Sequence, residues 1–388
     1  MFLVRIFPIF FLSLVVTLSS CKKDEPDPID ETEDVLAAFS GDPTTIIFGE
    51  SVQFTDESTG NPTSWSWSFD GGTPSTSDEQ NPVVIYDEPG VFNVTLVAGN
   101  EGSDNQALKS SYITVEAPSF FTDHMFDTYT STTDIIYGVD EDEHTLIVYE
   151  PENDPRTNRP VIILAGDGGF AGSDLSLLEP FAEEMTKYGF VVAIAHYRSG
   201  PTNTALEYQT MLIKGIQDTK AMVRYFREKA HVWGVDSNLI FRGGHGTGAI
   251  ISLKATYWDE NELDASALTL INSLGGLEGD QGHSGHSSDV LGIVSLAGGM
   301  YESIQTIDAT DAGIFAVHGT MDFDVPYDHD TIANGDDFYG SLPITLKADS
   351  VGLPNELFTI QNGFHDAPRE KVKDYSGLLA EFLKSIAE

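Results

Sequence analysis

The sequence predicts a small all-β sandwich followed by a larger α/β domain, a mostly parallel sheet with helices on both faces. Three observations predict this. Residues 35–116 run in short period-two segments separated by Gly, Pro, Asn and Asp, as antiparallel sandwich strands do. From about residue 143, continuous apolar runs alternate with amphipathic stretches, the texture of strands buried on both faces between covering helices. Within that second part, FRGGHGTGAI (residues 241–250) joins an apolar strand-like run to an apolar helix-like run through closely spaced glycines.

Length and charge bound the function before any motif is read. The chain has 388 residues and a net charge of −41, from 61 acidic and 20 basic side chains. Such a surface repels nucleic-acid phosphates and anionic lipid headgroups, so nucleic acid is excluded as a partner. The hydrophobic content of 40% suffices for packed cores.

Residues 1–20 read as a targeting signal: Arg5, an apolar run from Ile6 to Leu18, then small residues. Leu18-Ser19-Ser20-Cys21 resembles the lipobox of bacterial lipoproteins. That resemblance implies cleavage before Cys21 and a lipid on this cysteine, the only one in the chain, with the membrane as partner through that anchor. Residues 21–34, rich in acid and proline, form an extended tether. Since the residue after Cys21 is Lys22 rather than Asp, the expected location is the outer membrane or cell surface.

In the first module, VQFTDES, WSWSF, VVIYDEPG, VFNVTLVAG and SYITVEA are the strand candidates. The expected core is Phe54, Trp65, Trp67, Phe69, Tyr86, Phe92, Val94, Leu96 and Ile113. SVQFTDESTGNPTSWSWSFDGG and YDEPGVFNVTLVAGN resemble the two halves of the PKD-domain signature, with Asp70-Gly71 in place of the usual Gly-Asp. The resemblance implies an immunoglobulin-like spacer. Trp65 and Trp67, two apart on one strand, share a face; core packing is the expected use, a sugar platform the alternative.

Residues 117–388 form the α/β domain. Its strands are HTLIVYEP, RPVIILAGDGG, GFVVAIAHY, NLIFRGG, VLGIVSLAGG, GIFAVHGT and NELFTIQN. Helices are expected in SLLEPFAEEMTKYG, in the long stretch from Asn203 to Gly234, and from Arg369 to the end. In parallel sheets the working residues sit on loops at the carboxyl ends of strands. Four such loops stand out: Gly166-Asp167-Gly168-Gly169-Phe170, the glycine-rich stretch 241–250, HGTMDFDVPYD with Asp322, and NGFHDAP with His365. An acid and then a histidine, late in the chain and after a glycine-rich elbow, follow the order of α/β-hydrolase triads.

At these residues the domain resembles the α/β-hydrolase fold, in particular carboxylesterases related to acetyl-xylan and feruloyl esterases. RPVIILAGDGGFAGSD is similar to their His-Gly-Gly-Gly oxyanion loop, with Gly166 and Asp167 replacing the His-Gly pair. FVVAIAHYR carries His196 in place of their Asp, and HGTMDFDVPY places the acid at Asp322. NGFHD supplies His365. The resemblance implies an oxyanion hole from Gly168, Gly169 and Thr247, and ester-bearing small molecules or polysaccharide as substrate. It implies no cofactor and no metal.

The same frame puts the nucleophile at position 246, which is glycine. Glycine cannot attack a carbonyl, so an impaired or inactive esterase is expected, with a non-catalytic lipoprotein binding a glycan or ester as the alternative. Thr247 is a poor substitute nucleophile, because the residue after the nucleophile supplies an oxyanion N–H. His245 is expected to pack beside the turn. Gly244-x-Gly246-x-x-Ala249 fits a dinucleotide loop in letters, but no strand ending in an acid follows it. Glycine tolerates the strained elbow backbone, so Gly246→Ser is expected to lower thermal stability and restore turnover.

Weaker signals remain. His283, His286, Asp280 and Asp289 could gather round a metal but are expected in a solvated loop. Asp322, Asp324, Asp328 and Asp330 lack EF-loop spacing. Asp324 is the reserve triad acid, and His318 is expected to be structural.

Overall fold

The computed structural model describes residues 33–139, 144–258, 265–301, 303–331 and 337–388. The targeting signal, Cys21 and most of the tether lie outside the described residues. Two compact units emerge, one drawn mainly from residues before 115 and the other mainly from residues 115–388.

The first unit is a sandwich of a three-stranded and a five-stranded sheet. Phe54, Trp67, Phe69, Tyr86, Val94, Leu96 and Ile113 are fully buried, because alternation on strands such as Ser51–Asp56 and Ser64–Phe69 sends every second side chain inward. Trp67 lies nearly parallel to Phe69 at a ring separation of 5.6 Å. Trp65 and Phe92 are only half-buried, and the Trp65 indole N–H donates to Asp56 at 2.8 Å. Trp67 is therefore core, and Trp65 is tied down at its edge.

The second unit is an eight-stranded sheet. Its spatial order is Asn355–Ile360, Gly313–Gly319, Gly292–Leu296, Val235–His245, Arg159–Ala165, Val191–Ala195, Thr145–Pro151 and Tyr129–Ile136. The first six pair in parallel and the last two join antiparallel. Runs such as VIIL and VVAIA are buried on both faces, which is why they carry no alternation. All seven strands expected in this domain form. The eighth, Tyr129–Ile136, is an exposed edge strand whose sequence YTSTTDII is rich in strand formers but lacks the apolar alternation that would mark it.

Helices cover both faces. Ala205–Glu228 begins with a reciprocal capping box between Thr204 and Glu207. With Thr247–Tyr257 it packs Ile216, Met222, Phe226, Ile250 and Ile251 on one face. On the other face, Glu179–Thr186 brings Phe181 and Met185, and Val372–Ala387 brings Tyr375, Leu379 and Leu383 at helical spacing. A further helix, Ser341–Val351, ends at Gly352 in left-handed conformation. Among the described residues no helix is long and apolar enough to cross a membrane.

Candidate active site

Three loops converge at the carboxyl ends of the central strands. Strand Val235–His245 runs into Gly246, whose φ of 51° and ψ of −116° make a sharp turn directly into helix Thr247–Tyr257. Glycine adopts this left-handed backbone at little cost, whereas a side chain there is strained by about 1–3 kcal/mol. The neighbouring strand pairs Ala165 with Gly244, so the residue two further along each chain, Asp167, comes to lie beside Gly246.

Asp322 and His365 meet as an acid–histidine pair: His365 Nδ1 is 2.7 Å from Asp322 Oδ2. The other Asp322 oxygen accepts the N–H groups of Asp324 and Val325 at 3.0 and 2.9 Å. His318 is buried, bridging Ser341 Oγ at 2.8 Å to Asp322 Oδ2 at 3.2 Å, and so supports the acid. Asp324, the reserve acid, is exposed and makes no bond to His365.

The place of the nucleophile is filled from the other loop. A Cβ built on Gly246 would stand 2.5 Å from Asp167 Cγ and Oδ1 and 2.7 Å from Oδ2. The Asp167 carboxylate bonds His365, the expected triad histidine, with Oδ2 at 3.1 Å from Nε2. It also takes two of the donors expected for an oxyanion hole: Oδ1 accepts the N–H of Thr247 at 2.9 Å and of Gly168 at 2.8 Å. The third expected donor, Gly169 N–H, goes to the Thr247 hydroxyl at 3.0 Å. Gly168, Gly169 and Thr247 are thus gathered at the turn, with their N–H groups aimed at side chains of the protein itself. A serine at 246 meets the Asp167 carboxylate where it now stands, so Gly246→Ser has to displace that side chain before it can restore turnover.

His245 does more than pack beside the turn. It is fully buried, its Nε2 donates to the His365 carbonyl at 3.1 Å, and its Nδ1 lies 3.7 Å from Asp167 Oδ2. His283 leaves the weaker histidine cluster for a structural role, with Nδ1 2.7 Å from Glu228 and Nε2 3.0 Å from the Tyr137 carbonyl.

Electrostatics follow from this crowding. Burial pulls the His365 pKa down, but the hydrogen bonds and charges of Asp167 and Asp322 outweigh it and raise the pKa to about 10. Burial pushes both carboxylates up, yet Asp322 and Asp167 end well below the usual range, held by histidines and backbone N–H groups. At neutral pH His365 is therefore an imidazolium clamped between two carboxylates, which makes it an ineffective general base.

The sign of the stability effect follows. A pKa raised on folding contributes fully below about pH 6.5 and is lost as pH rises toward 10, whereas the carboxylates lose their contribution only in strong acid. In urea unfolding with EDTA present, the stability difference between wild type and His365→Gln is expected to hold steady from about pH 5 to 6.5 and to shrink by on the order of 3 kcal/mol by pH 10. A difference that grows with pH would contradict the clamp.

Beside these groups lies a cleft of about 300 Å³ with Phe170, Tyr208, Ile250 and Tyr301 among its walls. It adjoins a wider depression of about 530 Å³ that shares Asp324 and His365 and carries Phe323 and Phe364. These two rings lie 6.1 Å apart and are 79% and 58% exposed.

Comparison with known proteins agrees with this architecture. Residues 37–115 match the PKD domain family, and residues 146–280 match the family described as BD-FAE. Among solved structures, the truncated form of a carbohydrate esterase from gut microbiota is similar at 18% identity, covering 69% of this chain and 99% of that one, with a TM-score of 0.51. Thermogutta terrifontis esterase 2 phosphoramylated by tabun is similar at 19% identity, covering 66% and 94%, with a TM-score of 0.50. Identities this low establish the fold alone. No curated protein matches the chain. The chain carries a PKD domain followed by a BD-FAE domain, an esterase-like α/β hydrolase.

Proposed function

We propose that this protein is a surface lipoprotein, anchored through Cys21, whose hydrolase cleft binds ester-bearing ligands such as acylated polysaccharide without turning them over through an acyl-enzyme. The fold supports an ester-hydrolysing function, and the local chemistry argues against the serine route. The observation that carries this reading is the Asp167 carboxylate, which fills the serine's place while occupying both the base and two oxyanion donors. A negative carboxylate held by the oxyanion N–H groups opposes a second negative charge developing there.

Binding is supported by what remains open: the cleft, walled by aromatic and polar side chains alike, and the exposed Phe323–Phe364 pair in the adjoining depression. Exposed aromatic pairs suit the faces of sugar rings or aromatic acyl groups. Wild type in EDTA is expected to bind acetylated xylan and to hydrolyse p-nitrophenyl acetate no faster than His365→Gln. The Phe323→Ala/Phe364→Ala double variant is expected to bind the polysaccharide about tenfold more weakly, about 1.4 kcal/mol. A large rate loss in His365→Gln would restore the enzymatic reading, and undiminished binding in the double variant would remove the aromatic pair from the binding site.

A further inference from the structure

Asp167, His245 and His365 offer one donor atom each, and these atoms all lie within 4.8 Å of one another. The outer contacts fix which atoms face inward. His365 gives Nδ1 to Asp322, leaving Nε2 toward Asp167 at 3.1 Å. His245 gives Nε2 to the His365 carbonyl, leaving Nδ1 toward the same Asp167 oxygen. That Nδ1 is fully buried and has no hydrogen-bond partner, and its 3.7 Å separation from Oδ2 is too long for a hydrogen bond. A proton can join His365 to Asp167, but no proton on His245 reaches a partner at that distance. An unbonded buried ring nitrogen is costly.

We infer that Asp167 Oδ2, His245 Nδ1 and His365 Nε2 form a binding site for one divalent transition-metal cation of the zinc class. Zinc bonds to imidazole nitrogen and carboxylate oxygen are about 2.0–2.1 Å, so tetrahedral ligands stand about 3.3 Å apart. The two donor separations, 3.1 and 3.7 Å, straddle that value. Two nitrogens and one carboxylate select zinc over magnesium or calcium, which prefer all-oxygen sets. Both histidines already have the outer partners that metal-bound histidines use, a carboxylate on one and a backbone carbonyl on the other. Asp167 and His365 also line the cleft, so the fourth coordination position faces it. The second acidic grouping, Asp322, Asp324 and His365, spends its Asp322 oxygens on His318, His365 and two backbone N–H groups. It therefore has fewer lone pairs to offer.

The inference stands whether or not the cleft takes an ester, and its test uses no ester. Full-length protein stripped with EDTA is titrated with Zn²⁺ by calorimetry and with Co²⁺ by visible absorption. Expected are one zinc per chain, a Co²⁺ spectrum of tetrahedral intensity, and an upward shift in Tm with zinc. Asp167→Asn, His245→Asn and His365→Gln should each weaken zinc at least 100-fold, whereas His283→Gln should leave it unchanged. Asp167 is partly exposed, so its variant keeps the test open if buried His245 does not tolerate replacement. Absence of stoichiometric zinc would overturn the assignment. So would zinc binding undiminished in the Asp167 and His365 variants, or equally tight Mg²⁺, which would point to the acidic surface.

Discussion

The double variant Asp167→Gly/Gly246→Ser should hydrolyse p-nitrophenyl acetate at least 100-fold faster than wild type, while each single variant stays within tenfold of it. The reason is that two substitutions, far apart in sequence, meet in space. The built Cβ at 246 lies 2.5 Å from the Asp167 carboxyl carbon. Gly246→Ser alone must push that carboxylate aside, yet it is held by His365 and by the N–H groups of Thr247 and Gly168. A carboxylate pushed aside but still close to His365 also keeps competing with the new hydroxyl for that histidine. Asp167→Gly alone frees the histidine and the oxyanion donors but supplies no nucleophile. Together they provide nucleophile, base and hole, and a working triad is worth far more than 100-fold over binding and oxyanion stabilisation alone. With both single variants at the wild-type rate, the coupling in a double-mutant cycle is at least about 2.7 kcal/mol, and any rate gained by a single variant lowers it accordingly. If Gly246→Ser alone reaches the rate of the double variant, Asp167 is not the block. If the double variant stays at the wild-type rate, Asp322 and His365 are not the partners of position 246.

That prediction also marks how far the sequence could be read. Gly246, Asp322 and His365 were legible because each stands in a short motif, and the motifs occur in hydrolase order. The main strands were legible because burial on both faces leaves continuous apolar runs. Strand Tyr129–Ile136 was not, since it is an exposed edge with no apolar side to show. Helix Ser341–Val351 had signals, Pro343 in its first turn and Gly352 after its end, but only a modest apolar stripe between them. Asp167 was visible as a departure from the usual loop, yet nothing local says that it fills the space left at 246. That fact depends on the parallel register of Ala165 with Gly244, joining strands whose loops are far apart in the chain. His245 was harder still. Its importance rests on which ring nitrogen faces inward, and that is set by a carbonyl 120 residues away.

Gly248→Ala should destabilise the α/β domain by more than about 3 kcal/mol, against the expectation from helix propensity. Gly248 sits in the first turn of helix Thr247–Tyr257, where replacing glycine by alanine ordinarily stabilises a helix by about 1 kcal/mol. Here sterics outweigh propensity. A Cβ at 248 would stand 2.0 Å from the backbone oxygen of Ala165, and 2.6 and 2.7 Å from its carbon and the Gly166 oxygen. These atoms belong to a central strand and its loop, so they cannot turn away as a side chain can. Gly244 is in the same position, with the Gly248 carbon at 2.4 Å and the Ala165 oxygen at 2.6 Å. The glycines of GGHGTG therefore divide by physical role. Gly244 and Gly248 let strand, turn and helix close on one another, whereas at Gly246 the nearest atoms are those of the Asp167 side chain rather than backbone, with a positive φ to satisfy. Chemical denaturation should rank the alanine variants accordingly, with Gly246→Ala the mildest. It should become milder still beside Asp167→Gly, where only the backbone strain of about 1–3 kcal/mol remains. Equal losses at 244, 246 and 248 would mean that the turn tolerates no side chain at all, and that the serine could not be restored without rebuilding the loop.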